Sequence, residues 1–382
     1  MRSWKVTTAS LLSAAVLGLA TQADARQLRH AVGHPPGSLA VDAAEAMAAT
    51  VARESGGSLT LRVYPMSLLN MAETSAGLRD GIADVGFVLT PYHAAEYPHS
   101  NLISEASMVM RLMGDHVVGR EGIIYVPAMA EFIFTKCPEC NQEFAKQNQV
   151  FGGIVGGSSY GLLCNQPVKG AEDIKGKRFR AGAANWSRWV VAMGGTPVTM
   201  TGNEMLESLK QGVVDCVVVS TPEVPNFGLA EAITDVTMGV PGGLFTTAGQ
   251  NINLRVWRGL KPDERTALLK GASVAAAHVP WSYHRAEHEV LADLRKRGAT
   301  IHETDPELIE ATHTFIEEDM GTIAKYFADR HGVKRGAEML SEFRALLEKW
   351  DKLTTDVKSV DELAELYWNE IYSKVDTEKF GL

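Results

Sequence analysis

The 382-residue sequence predicts an α/β fold of two similar lobes, a long linking helix and a helical C-terminal extension. Three observations predict it. Strand-like and helix-like stretches alternate over most of the chain. One unit recurs: Leu78-Arg-Asp-Gly81-Ile-Ala-Asp84-Val-Gly-Phe-Val88 is echoed by Leu209-Lys-Gln-Gly212-Val-Val-Asp215-Cys-Val-Val-Val219. In each copy a helix ends at a glycine suited to a left-handed cap, and an Asp then opens an apolar strand. A helical pattern also runs from Pro262 to Gly298, which is long enough to serve both lobes.

Residues 1–25 have the order of a secretory signal. Arg2 and Lys5 are basic, Val6–Ala20 is a short apolar run, and Ala23-Asp24-Ala25 is a small-x-small cleavage site. The rival reading, an uncleaved anchor, needs roughly 20 apolar residues, and this run is shorter. The mature chain is expected to begin near Arg26 as an exported, periplasmic protein that does not itself span the membrane. Leu28–Val32 then reads as a strand. Ser38 is placed to cap a helix over Leu39–Ser55, ended by Gly56-Gly57. Ser58–Tyr64 alternates as a strand closed by Pro65. Glu73–Arg79 is a short helix, and Asp84–Leu89 is a buried strand. Glu96–Lys136 is helical and Met-rich. Strand character resumes over Gln149–Ile154 and Tyr160–Cys164.

The stretch Lys175–Pro222 organises the rest. One short strand ends at Arg180, with Asn185, Trp186, Arg188 and Trp189 close behind. A second strand, Cys216–Val219, ends in Ser220, Thr221 and Glu223. Apolar strands that stop at polar side chains are the layout of a pocket. Beyond it, the helical pattern from Pro262 holds Pro280, so a kink or two abutting helices are expected there. The tail is helical, and Asp361–Lys374 carries an apolar stripe of Leu363, Leu366, Tyr367 and Ile371. The boundaries read this way are 1–25 for the signal, 26–150 for a first lobe and 151–250 for a second. Residues 251–382 then return to the first lobe through the linking helix and C-terminal helices.

Composition narrows the function. Formal net charge is −9, and no Lys/Arg block or basic-aromatic stripe points to nucleic acid. Gly156-Gly157 lacks the Gly-Lys-Ser/Thr ending of a phosphate loop. Cys137-Pro-Glu-Cys140 is a close pair, read as a disulfide in an exported protein rather than a redox or zinc site. Cys164 and Cys216 lie in apolar strands and read as buried free thiols. His284-Arg-Ala-Glu287-His288 matches the His-x-x-Glu-His spacing of a zinc hydrolase, although so short a pattern on a polar helix recurs by chance. No cofactor, metal site or enzyme activity is expected.

Three ordered motifs carry a family resemblance. They are the run from Gln166-Pro167 through Asp173 and Gly176 to Arg180, the Gly212-Val-Val-Asp215 turn, and Val256-Trp257 followed by Leu260, Pro262 and Glu264. Together they resemble the solute receptors of tripartite ATP-independent periplasmic (TRAP) transporters of the dicarboxylate type, over most of the mature chain. The resemblance implies a type II-like two-lobe periplasmic binding fold. It implies that Gly239–Leu244 and Gly249–Val256 cross back to the first lobe. It further implies a small organic acid as ligand, held in the interlobe cleft and delivered to a TRAP-type membrane permease. A receptor for an ATP-driven transporter or a sensor is the alternative.

Arg180 is the central candidate, because a guanidinium grips a carboxylate with two parallel hydrogen bonds. Arg178 shares its strand face, and alternation does not choose between them; the resemblance chooses Arg180. Tyr160 stands where relatives often carry a second Arg or polar group. Ser220 or Thr221 replaces an Asn common after Asp215. Those departures favour a small or partly apolar acid over a charged sugar acid. Glu223, His34 and Tyr92 complete the expected ligand-binding set. Trp186 reads either as a pocket wall or as core.

Overall fold

The structure, a computed structural model, describes residues 25–382; all of the expected signal but Ala25 lies outside them. Twelve strands are described. They are β1 (Arg26–Val32), β2 (Leu59–Pro65), β3 (Val85–Val88), β4 (Gln149–Val150), β5 (Val155–Gly156) and β6 (Gly161–Cys164). They continue with β7 (Arg178–Ala181), β8 (Thr196–Thr199), β9 (Cys216–Val219), β10 (Asp235–Thr237), β11 (Thr246–Asn253) and β12 (Thr300–His302). They form two sheets. The first has the order β2-β1-β3-β11-β4, with β5 paired to β11. The second has the order β12-β10-β6-β9-β7-β8. Each sheet has its own apolar core, and together they make the mixed α/β, two-lobe fold that the sequence predicts.

The sequence echo is a structural repeat. β2-β1-β3 is a parallel triplet, and so is β8-β7-β9. The turn glycines Gly81 and Gly212 have φ of 82° and 63°, where a Cβ would be strained. In the first lobe, Asp84 accepts from the Arg29 backbone N–H (2.8 Å) and guanidinium (2.9 Å). In the second, Asp215 accepts from the Arg178 backbone N–H (2.8 Å) and Nη2 (2.9 Å). Both pairs fasten the start of a central strand to its neighbour. Registers match too: Ala31 pairs with Gly86, and Arg180 with Val217, each one step after the first parallel pair. Arg180 therefore occupies the position that Ala31 fills in the first lobe.

The sheets also move the boundaries read from sequence. β5 and all of β11 belong to the first sheet, so the chain crosses between lobes near residues 157–160 and again near 238–245. β12 lies beyond the linking helix yet pairs with β10 of the second sheet. Pairing partners fix sheet membership, and local pattern does not carry them. The linking helix is one continuous element, Pro262–Lys296, and not two abutting helices. Pro280 is buried against Gly122, where an added Cβ would stand 2.9 Å from it. Packing on both sides holds the helix together despite the missing N–H. A second helix, Pro306–His331, also serves both lobes: Leu308 and Ile316 join the second core, Ile323 and Phe327 the first.

The C-terminal extension packs on the first lobe. Helix Gly336–Leu353 lies on helix Glu121–Thr135, where Trp350 Nε1 donates to Glu131 Oε2 (2.7 Å). Helix Val360–Glu370 follows, and Tyr367 donates to the Ile123 carbonyl (2.8 Å). This covers a helix whose residues from Gly122 to Ala130 are all buried.

All four cysteines are paired. Cys137 and Cys140 are disulfide-bonded. Cys164 and Cys216 are also bonded, which corrects the reading of free thiols. The two residues face each other across β6 and β9, a register invisible in their separation of 52 residues. Thiol titration of unfolded, unreduced protein should therefore find no free thiol; two would mean that the Cys164–Cys216 bond does not form.

Glu121 opens its helix beside the first interlobe crossing and is buried, with Oε2 lacking a partner. Burial raises its pKa to about 7, helped by the nearby Glu287 charge. The folded chain thus binds a proton that the unfolded chain releases near its ordinary value of 4.5. This contribution to stability is full below the unfolded value and is lost as pH rises to about 7. Glu121→Gln should gain melting temperature over the wild type as pH goes from about 5 to about 8. A difference that stays constant with pH would contradict the assignment.

Candidate functional site

Arg180 lies at the carboxyl end of a central strand, almost fully buried at 2% exposure. Its Nε and Nη2 donate to the Met200 carbonyl (3.1 and 3.0 Å), and Nη2 also donates to the Tyr92 hydroxyl (3.1 Å). No acceptor among the described residues is hydrogen-bonded to Nη1. Gly182 leaves room for the guanidinium, since a Cβ there would come within 3.0 Å of it. Arg178, by contrast, is exposed and spent on Asp215. The geometry thus separates two arginines that alternation left equivalent.

Two adjoining cavities, about 40 and about 50 Å³, sit between the lobes and share His34, Leu89, Tyr160, Glu223 and Phe245. Arg180 and Tyr92 line the first; Ser220, Phe87 and Tyr283 line the second. The walls are apolar and aromatic with a few converging polar groups, as in a site for a small molecule. Larger grooves occur on the surface; one, about 580 Å³, is lined by Lys261, Glu264 and other residues away from this cleft. The interlobe cavities are lined by two residues with buried polar atoms lacking a partner among the described residues: His34 Nδ1 and Ser220 Oγ. Such atoms cost free energy unless something else pairs with them.

Electrostatics set the state of each group. Burial lowers the pKa of His34 to about 4, so it is neutral near pH 7. Burial also pushes the Tyr160 hydroxyl well above its usual value. Glu223 is buried, and burial raises its pKa against the hydrogen bonds from Asn226 and Tyr283 and the charge of Arg180.

Two expected residues stand outside the lining. Trp186 is one layer back: it stacks on Tyr160 with centroids 4.2 Å apart and donates to the Gly242 carbonyl (2.9 Å). It supports the wall without forming it. Thr221 is fully buried with an unpartnered hydroxyl, and Ser220 lines the cavity in its place. Tyr283, Asn226, Phe245 and Leu89 were missed. Tyr283 comes from the middle of the linking helix, where its helical pattern gave no sign of the cleft. Among the described residues no group of three or more His, Cys, Asp or Glu side chains is arranged to hold a metal ion, His284, Glu287 and His288 included.

Residues 142–328 match the family model described as bacterial extracellular solute-binding protein, family 7. The match spans just under half of this chain. Its fold is shared by a Bordetella pertussis extracytoplasmic solute receptor that binds pyroglutamic acid (20% identity, TM-score 0.70, 84% of this chain and 100% of that one). It is also shared by a marine metagenome TRAP solute-binding protein specific for aromatic acids, seen with 3-hydroxybenzoate (20%, 0.73, 86% and 99%). A third is a TRAP solute-binding protein of Chromohalobacter salexigens with bound D-glucuronate (18%, 0.64, 84% and 99%). At these identities the likeness is one of fold.

The lobes meet around the cleft at several points. Tyr92 of the first lobe accepts from Gly202 N (3.0 Å) of the second as well as from Arg180. Arg188 of the second lobe donates to buried Glu105 of the first (2.6 Å) and to Asp319 (2.7 Å). Arg188→Ala would leave two buried acids unpaired, at about 3–5 kcal/mol. Urea denaturation should show that loss, and Arg188→Ala combined with Glu105→Gln should recover part of it. Equal losses in both variants would contradict the pairing.

Proposed function

We propose that this protein is an extracytoplasmic receptor that binds a small organic acid between its lobes and delivers it to a TRAP-type membrane permease. The observation that carries the reading is Arg180. A guanidinium is buried at the end of a strand, with no hydrogen-bond partner for Nη1 among the described residues, in a cavity shared by both lobes. The repeat supplies an internal control: Ala31 fills the equivalent position, so the strand does not need an arginine there for its own pairing. A buried cation is costly unless an anion meets it, and a carboxylate fits the fork. The family-model match and the acids bound by proteins of the same fold support the same ligand class.

On this reading His34, Tyr92, Tyr160, Ser220 and Glu223 line the ligand, and Trp186 braces Tyr160. The ligand's arrival holds the lobes together through contacts to both, a hinge closure about the crossings near 157–160 and 238–245. The permease is the expected partner, the periplasm the expected site, and transport needs no chemistry from this chain. The cavities are small, which favours a compact acid over a sugar acid. Truncating one partner of a buried charge pair costs about 2–5 kcal/mol. Arg180→Ala should therefore weaken binding of whichever acid a thermal-shift screen finds by about thirty-fold or more. Arg180→Lys should recover only part. Arg178→Ala should change affinity little, because its partner is Asp215. Calorimetric titration measures all three; normal binding by Arg180→Ala would remove the carboxylate assignment.

A further inference from the structure

Glu223 lines both cavities, so it sits where the space beside Arg180 meets the space beside Tyr283. Its oxygens are held from behind: Tyr283 donates to Oε1 (2.8 Å) and Asn226 Nδ2 to Oε2 (2.9 Å). Asn226 Nδ2 also reaches the Tyr283 hydroxyl (3.1 Å), and Asn226 Oδ1 accepts from Leu39 N of the first lobe (3.2 Å). The network thus joins second lobe, linking helix and first lobe. Arg180 makes its hydrogen bonds to Met200 and Tyr92 and none to Glu223. A carboxyl group so placed has acceptor capacity left over, since each oxygen takes more than one hydrogen bond. Among the described residues only Asn226 and Tyr283 donate to it.

We infer that Glu223, fixed by Asn226 and Tyr283, is a specificity-determining residue that selects acids carrying an N–H or O–H donor beyond the carboxylate and rejects dicarboxylates. The inference rests on the reading that Arg180 takes the carboxylate. A ligand seated on Arg180 extends toward Glu223, whose oxygens accept a donor. A second carboxylate there would be buried against the Glu223 carboxyl group, which is strongly unfavourable. An ether or ester oxygen in the donor's place would leave Glu223 facing an acceptor.

The test is calorimetry of the mature wild type with matched probes. L-pyroglutamate is compared with 5-oxotetrahydrofuran-2-carboxylate, in which oxygen replaces the ring N–H. 3-Hydroxybenzoate is compared with benzoate, and succinate represents the dicarboxylates. A hydrogen bond to a charged acceptor should make the donor-bearing member of a binding pair about ten- to hundred-fold tighter, with succinate not binding below millimolar concentration. In Glu223→Gln that ratio should shrink and succinate should gain affinity. Equal affinities within the pairs, tight succinate binding, or no binding of any of these acids at millimolar concentration would each overturn the inference. The wild-type comparison stands even if the variant fails to fold. Loss of binding in Arg180→Ala without discrimination within the pairs would sink the role of Glu223 and leave the carboxylate reading intact.

Discussion

A positive charge buried between two lobes is the constraint around which this molecule is arranged. Arg180 is held at the end of a strand, where among the described residues its partners are one carbonyl and one hydroxyl and no carboxylate. Desolvating a guanidinium this way costs free energy that neutral acceptors only partly offset. On the proposed function, an anionic ligand supplies the rest. Each lobe brings part of the setting. The second gives the strand, Gly182 and Met200, and the first gives Tyr92, whose hydroxyl bonds both Arg180 and Gly202.

The scaffold beneath the site is a duplicated unit. In both lobes an Asp after a left-handed glycine clamps an Arg on the neighbouring parallel strand. That clamp fixes strand register, so the residue two places beyond the Arg falls at a fixed depth in the sheet. In one lobe it is Ala31, packed in the core; in the other it is Arg180. One substitution within a repeated frame puts a buried guanidinium where the first lobe has an alanine.

How much of this was legible follows from the range of each signal. The two-lobe α/β plan was legible because the Gly–Asp echo and the alternation of strand and helix are local patterns. Arg180 itself stood out as a strand-end residue, but its distinction from Arg178 needed the resemblance, since the Arg178–Asp215 pair spans 37 residues. The Cys164–Cys216 bond was misread because it depends on the antiparallel register of β6 and β9, which no run of sequence displays. Tyr283 was missed for the same reason: helical spacing gave its face but not what that face meets. Trp186 was left open between wall and core, and its stacking on Tyr160 places it between them, behind the wall.

The account turns on where the ligand's acid group sits. The most direct measurement is a crystal structure of the mature protein with the acid it binds most tightly. The account predicts both carboxylate oxygens within hydrogen-bond reach of the Arg180 guanidinium, with Nη1 engaged and the lobes closed over the ligand. A carboxylate held elsewhere, with Arg180 still bonded only to Met200 and Tyr92, would contradict it.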